Sequence, residues 1–182
     1  DADVLAAQTR RMMCDQRAKA ALWGFVRQWL GLTELERISK DDSLYPQFDD
    51  ALKASMLRET ELFVESILET GDMRRLFDAD YTFMDVNIAA IYGAPAPGGD
   101  AFYKVPTAPE RSGVLTHPSL LSVYAQPNLS SPILRGIFVR EKLLCHPIPT
   151  PPANLITVAP DPGEGLTTRE LFRAHTEQPS CQ

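Results

Sequence analysis

Apolar residues recur every three to four positions over much of the first 92 residues, a spacing that predicts a row of helices. Val4 to Met13 reads as the first. Arg17 to Leu30 reads as the second, with Ala18, Leu22, Phe25, Val26 and Trp29 on one face and Gly31 as its stop. Thr33-Glu-Leu-Glu36 matches a capping box and opens a short turn. The longest pattern runs from Gln47 to Glu69. There Phe48, Leu52, Met56, Phe63 and Ile67 form a core stripe, Glu59, Glu61, Glu65 and Glu69 fall on wetter faces, and Gly71 ends the helix. Short helices at Met73 to Phe77 and at Val86 to Tyr92, the latter N-capped by Asp85, complete this part.

The pattern changes at Tyr92-Gly93. Of the 15 prolines, 14 follow that point, so long uninterrupted helices are excluded there. Pro95 to Pro109 reads as a loop, and Pro118 to Ala125 as a helix with proline in its first turn. Ser131-Pro132 starts another, which could run to Leu144 with Ile133, Ile137 and Leu144 on one side. Pro147 to Pro152 is extended, close to polyproline II, and reads as a strap over its own domain or a docking ligand. Thr167-Thr-Arg-Glu170 is a second capping box, opening a last helix through His175. No internal repeat is visible. The expected fold class is therefore mainly α, in two modules. Residues 1–92 form an acidic helical module, and 93–182 a proline-rich module of short helices and extended loops.

Charge divides at the same place. Residues 1–92 carry 17 acids and 11 bases, residues 93–182 seven of each, and the whole chain is -6. That balance argues against a nucleic-acid surface, which needs a dense cationic face. With 182 residues, 44% hydrophobic and 23% charged, the chain has enough material for a real core. No apolar run approaches the roughly 20 residues of a membrane span. No signal peptide is recognisable and the chain opens on Asp1, which reads as a start removed or an interior fragment.

Candidate chemistry is sparse. There is no nucleophile elbow, no His-Glu-x-x-His, no phosphate-binding glycine loop and no Cys-x-x-Cys pair. The acidic pairs Asp41-Asp42 and Asp49-Asp50 sit where helices should begin, and Asp78-Ala-Asp80 where one ends; dipole interactions account for them better than a metal. Asp161 to Gly165 reads as a turn with too few oxygens for calcium. His146 adjoins Cys145, but neighbours in an extended segment point opposite ways. Three cysteines, Cys14, Cys145 and Cys181, leave at least one unpaired within the chain. Cys14 and Cys145 are either a bridge in an exported protein or two buried thiols. No metal site is expected.

Several segments taken in order are more specific. They are Gln8-x-Arg-Arg-Met-Met13, Phe25-x-x-Gln-Trp-Leu-Gly-Leu32, Tyr45-Pro-x-Phe48, Met56-x-x-Glu-Thr60, Leu76-Phe-Asp-Ala-Asp-Tyr-Thr-Phe83 and Ala89-x-x-Tyr-Gly93. Arg111-Ser-Gly-Val-Leu-Thr-His117, Ser131-Pro-Ile-Leu-Arg-Gly136 and Val139-Arg-Glu-Lys-Leu-Leu-Cys-His-Pro147 follow. Together they resemble a family of large multi-domain cytochrome-c-like proteins of planctomycetes and myxobacteria. In that family two consecutive domains of unknown function precede a Cys-x-x-Cys-His haem domain.

The resemblance implies that Cys181 is the first haem-attaching cysteine and that His175, leading into it, is a candidate distal ligand. His117, His146, Met12 and Met13 are the weaker alternatives. The chain stops before the second cysteine and the proximal histidine, so as written it binds no haem covalently. It also implies a periplasmic or outer-surface home and, as partners, haem domains of the same polypeptide or of neighbouring subunits. On this reading the chain is the scaffold of an exported c-type cytochrome in electron transfer. Two alternatives stay open. One is the substrate-binding part of a periplasmic oxidoreductase or polysaccharide-processing enzyme, with Arg111, Arg135 and Arg140 clamping an anion. The other is a structural module of a cell-surface assembly.

Overall fold

A computed structural model describes residues 1–95, 98–99, 101–149 and 167–176, the side chains of Leu171 and residues 174–176 excepted. Two compact units divide the chain, Asp1–Asn128 and Leu129–Gln182.

In the first unit, helices α1 (Ala2–Met13) and α2 (Gln16–Trp29) are capped by the carboxylates of Asp1 and Asp15. Helix α1 buries none of its residues. In α2 only Val26 is buried; Phe25, expected on the inner face, is exposed and stacks on Trp29. Gly31 does stop α2, at φ 71°. A Cβ there would meet the Tyr124 hydroxyl at 2.6 Å, because that hydroxyl closes in to donate to the Leu30 carbonyl. The expected capping box at Thr33–Glu36 does not form; Leu32–Glu34 is a 3₁₀ turn entered from Gly31 without a side-chain cap.

The central element is α3 (Asp50–Thr70), capped by Asp49, which accepts from Leu52 N at 2.8 Å. Leu52, Met56, Phe63 and Ile67 are buried as the spacing requires. Glu59, assigned from sequence to a wet face, is fully buried among them. Helix α4 (Arg75–Asp78) leads to strand β1 (Tyr81–Met84), then α5 (Val86–Tyr92) with Asp85 as its N-cap. Strand β2 (Tyr103–Pro106) pairs antiparallel with β1, Tyr81 opposite Pro106 and Met84 opposite Tyr103.

That sheet overturns the expected fold class. The chain is mainly helical with a two-stranded sheet, and the sheet joins one strand from each side of the compositional break. Pro95 to Pro109 is accordingly no plain loop. A four-residue strand satisfies few backbone groups, so β1 and β2 depend on each other and on α3, whose side β1 packs against with alternate residues buried.

The unit closes through a 3₁₀ turn (Val114–Thr116) and α6 (Pro118–Val123). Gly113, at φ 57°, lies so close to the α4 backbone that a Cβ would meet the Leu76 oxygen and Phe77 carbon at 2.5 Å. Lys40 donates to the carbonyls of Ser122, Ala125 and Gln126 at 2.9–3.1 Å, capping α6 from outside. Asp41 begins no helix. Its carboxylate takes the Ser43 amide in a turn.

In the second unit, α7 (Pro132–Phe138) starts on Ser131 as expected but passes into a π turn, Val139–Leu143. The residue it buries is Phe138, while Ile133 and Leu144 are exposed and Ile137 is half-buried. Helix α8 (Thr168–Thr176) opens on the predicted capping box: Glu170 accepts from Thr167 N and Oγ1 at 2.8 and 2.7 Å. Among the described residues no helix is long and apolar enough to cross a membrane.

Candidate functional site

Chemistry concentrates in one buried polar cluster of the first unit, and it begins with Glu59. Its Oε1 accepts from the Thr82 hydroxyl on β1 at 2.6 Å and from the Tyr92 hydroxyl on α5 at 2.7 Å. Its Oε2 is equally buried and has no hydrogen-bond partner among the described residues. Burial pushes this carboxyl up to about 7, against the two hydroxyl bonds and the Arg111 charge, which hold it lower; Asp85 adds to the rise. A neutral carboxyl suits the arrangement, with Oε1 as the doubly accepting carbonyl.

Arg111 reaches in from the segment after β2. Its guanidinium lies over the Tyr92 ring, 4.4 Å from the ring centre, and its Nη1 donates to the Thr116 carbonyl at 3.1 Å. Burial, then the neighbouring Glu59, pushes the Tyr92 phenol well above its ordinary range, so it remains a donor.

Beside this group, His117 Nδ1 lies 3.1 Å from Thr60 Oγ1, and Ser119 Oγ lies 2.7 Å from the same oxygen. A threonine hydroxyl has one proton. Thr60 gives it to the Met56 carbonyl, so it accepts from both neighbours, which selects the neutral Nδ1–H form of His117. The ring meets Phe63 edge-on at 4.7 Å. Complete burial, reinforced by the Arg111 charge, drops His117 to about 3. On the far side, Asp85 accepts from Ser55, which accepts in turn from Asn87 at 2.9 Å.

The cluster is enclosed: Glu59, Thr60, Thr82, Asp85, His117 and Ser119 are all buried. Elsewhere, an open groove of about 610 Å³ lies between α1 and α2, bordered by Arg11, Met12, Met13 and Leu22.

The sequence-predicted residues are scattered. Arg111 and His117 join the cluster. His117 is enclosed, with its Nδ1 engaged by Thr60. Met12 and Met13 are exposed on α1, and His146 is exposed in the second unit. His175 lies in the last turn of α8, with its side chain outside the described residues, as is Cys181 altogether. Arg135 and Arg140 belong to α7 and its π turn. Cys14 and Cys145 are free and exposed, not buried thiols, and Cys145 takes φ 55°. Asp161 to Gly165 and residues 150–152 of the proline run are outside the described residues. Among the described residues no three His, Cys, Asp or Glu side chains group to hold a metal ion.

Comparison with known families places these residues. The family model for PSD4, a protein of unknown function (DUF1592), matches residues 1–94. The chain belongs to the PSD4 family. A second model, PSCyt3, also a protein of unknown function (DUF1588), matches residues 111–182. No curated protein and no solved structure matches the chain. The PSD4 segment supplies Glu59, Thr60, Thr82 and Tyr92 to the cluster, and the PSCyt3 segment supplies Arg111, His117 and Ser119.

Proposed function

We propose that this chain is a scaffold module of an exported, multi-domain, cytochrome-like protein in electron transfer, holding haem-bearing segments in place rather than performing chemistry itself. The observation that carries this reading is the shared cluster: a PSD4 and a PSCyt3 segment contribute to one buried network within a single compact unit. The network joins the two segments at three points: Arg111 lies over the Tyr92 ring, and Thr60 meets His117 and Ser119. The name PSCyt3 and the sequence resemblance supply the cytochrome context. Cys181 would begin the haem attachment, with His175 nearby as a distal ligand, and attachment outside the cytoplasm would set the location.

The enzyme reading is weaker because Arg111, the first of its three arginines, is spent on Tyr92 and the Thr116 carbonyl. The assembly-module reading draws support from α1, where Val4, Leu5, Met12 and Met13 are all exposed. A pyridine haemochrome spectrum of the longer natural protein, purified from an exporting host, tests the leading reading. A c-type signal that Cys181→Ala reduces by one haem supports it. Absence of haem from a protein extending well past Gln182 removes it and leaves the assembly module.

A further inference from the structure

The buried cluster contains one group whose two oxygens are treated very differently, and independently of the cytochrome reading this asymmetry has a consequence. Glu59 Oε1 holds two hydroxyl donors while Oε2, on the same carboxyl, has none among the described residues. The cation whose charge acts on it, Arg111, spends its Nη1 on the Thr116 carbonyl. We propose that Glu59 is a proton-operated latch on the Arg111–His117 segment: neutral, it leaves Arg111 on the Thr116 carbonyl and the segment locked; ionised, it draws Arg111 to Oε2 and frees that carbonyl.

The groups facing Glu59 decide the direction. Tyr92 on α5 is a donor throughout and cannot neutralise a charge. Asp85, between β1 and α5, is an acid and opposes ionisation. Thr82 on β1 is a neutral donor already in use. From β2, Lys104 sits over the Tyr81 ring at 3.6 Å instead. His117, ahead of α6, is held neutral by burial and by Arg111. Arg111 is thus the one cation among these groups acting on the carboxyl. An ionised Oε2 without a donor is a bare charge in a dry interior, and a guanidinium has five N–H donors to offer it.

Thr116 would feel the exchange directly. Its carbonyl loses a charge-assisted donor, while its hydroxyl stays tied to Gly113 O at 3.0 Å and the next amide, His117 N, to Val114 O at 3.1 Å. The released segment is the first described stretch of the PSCyt3 match, so the latch sets how firmly the two families' segments are joined.

An NMR titration of the ¹³C,¹⁵N-labelled 182-residue chain from pH 5 to 8.5 tests this, following the Glu59 carboxyl carbon, the Arg111 guanidinium nitrogens and the Thr116 carbonyl carbon. The expected result is one common midpoint near neutrality for all three, with the Arg111 and Thr116 responses lost in Glu59→Gln. A Glu59 carboxyl that titrates in the ordinary carboxyl range overturns the proposal. So does a neutral midpoint at Glu59 that Arg111 and Thr116 do not follow. If the Gln variant fails to fold, the wild-type titration still decides. A response that survives in a folded Gln variant belongs to another group and also overturns it.

Discussion

Arg111 stacks on Tyr92, and Tyr92 in turn donates to Glu59, so one aromatic ring carries a cation on its face and a carboxyl at its edge. Tyr92→Phe should keep the cation–π contact and lose only the hydroxyl bond, at a cost of about 1 kcal/mol. Arg111→Met should cost more, because the Thr116 carbonyl also loses its donor. In a double-mutant cycle using Tyr92→Leu with Arg111→Met, urea unfolding should return a coupling of about 0.5–2 kcal/mol. Additive losses would mean the stacking contributes nothing.

Glu59 and His117 should cancel each other in the pH dependence of stability. The Glu59 value is raised from 4.5 to about 7, so its contribution is full below 4.5 and is lost as pH rises through 7. The His117 value is depressed from 6.5 to about 3, so its contribution is full above 6.5 and is lost as pH falls through 3. Between those unfolded values the folded chain carries one proton on Glu59 and the unfolded chain one on His117. The pair therefore adds no net slope there. Relative to wild type, Glu59→Gln should gain stability with rising pH across this window by about 1.4 kcal/mol per unit, and His117→Asn should lose it at the same rate. Denaturant midpoints taken across that range check both signs; curves parallel to wild type would refute the pairing.

Removing the carboxyl altogether is a different matter. Glu59→Ala strands the Thr82 and Tyr92 hydroxyls in a dry interior and opens a cavity beside Phe63, and should cost about 3–5 kcal/mol. Glu59→Gln keeps an acceptor for both hydroxyls and should cost roughly 1–2 kcal/mol. Equal losses in the two variants would show that the hydroxyls find other partners.

Two glycines with left-handed backbones should respond unequally to alanine. At Gly71, φ 72°, a Cβ meets nothing within 4 Å, so Gly71→Ala should cost about 1 kcal/mol of backbone strain. At Gly113, φ 57° and ψ -172° is a backbone essentially reserved to glycine, and that strain is joined by overlap with the Leu76 and Phe77 backbone, so Gly113→Ala should cost about 2–4 kcal/mol. Thermal or denaturant melts of the two variants should separate them clearly.

Lys40→Met should loosen α6. The ammonium serves three carbonyls, which no methionine can do, and burial already draws the Lys40 value down. A loss of about 1.5–3 kcal/mol is expected, with faster amide exchange in residues 120–126. Unchanged exchange there would assign the lysine no part in holding the helix end.

Most helices were legible in the sequence because their signals are local. Asp49, Asp85, Ser131 and the Thr167–Glu170 box each cap a helix within three residues of themselves. The sheet was not legible. Strand β1 is four residues long, and β2 is mostly exposed among prolines and glycines, so neither shows enough alternation to declare itself without the other. Glu59 was missed for a different reason. Leu52, Met56, Glu59, Phe63 and Ile67 keep a single helical spacing, so position alone put the glutamate on the core face, and side-chain chemistry argued it off. Its acceptance depends on Thr82 and Tyr92, whose nearness no local pattern reveals. The exposure of Phe25 and the burial of Phe138 likewise depend on what each helix packs against.

The β1–β2 ladder also bears on where this molecule can be divided. The PSD4 match stops at residue 94, before β2 begins, so a piece cut at that family boundary would keep β1 and lose the strand beside it. The exposed edge would present unpaired amides and carbonyls to any passing chain, and the clipped piece should self-associate more readily than the intact chain. Inheritance and folding draw different borders here, and the folding border of the first unit lies at Asn128.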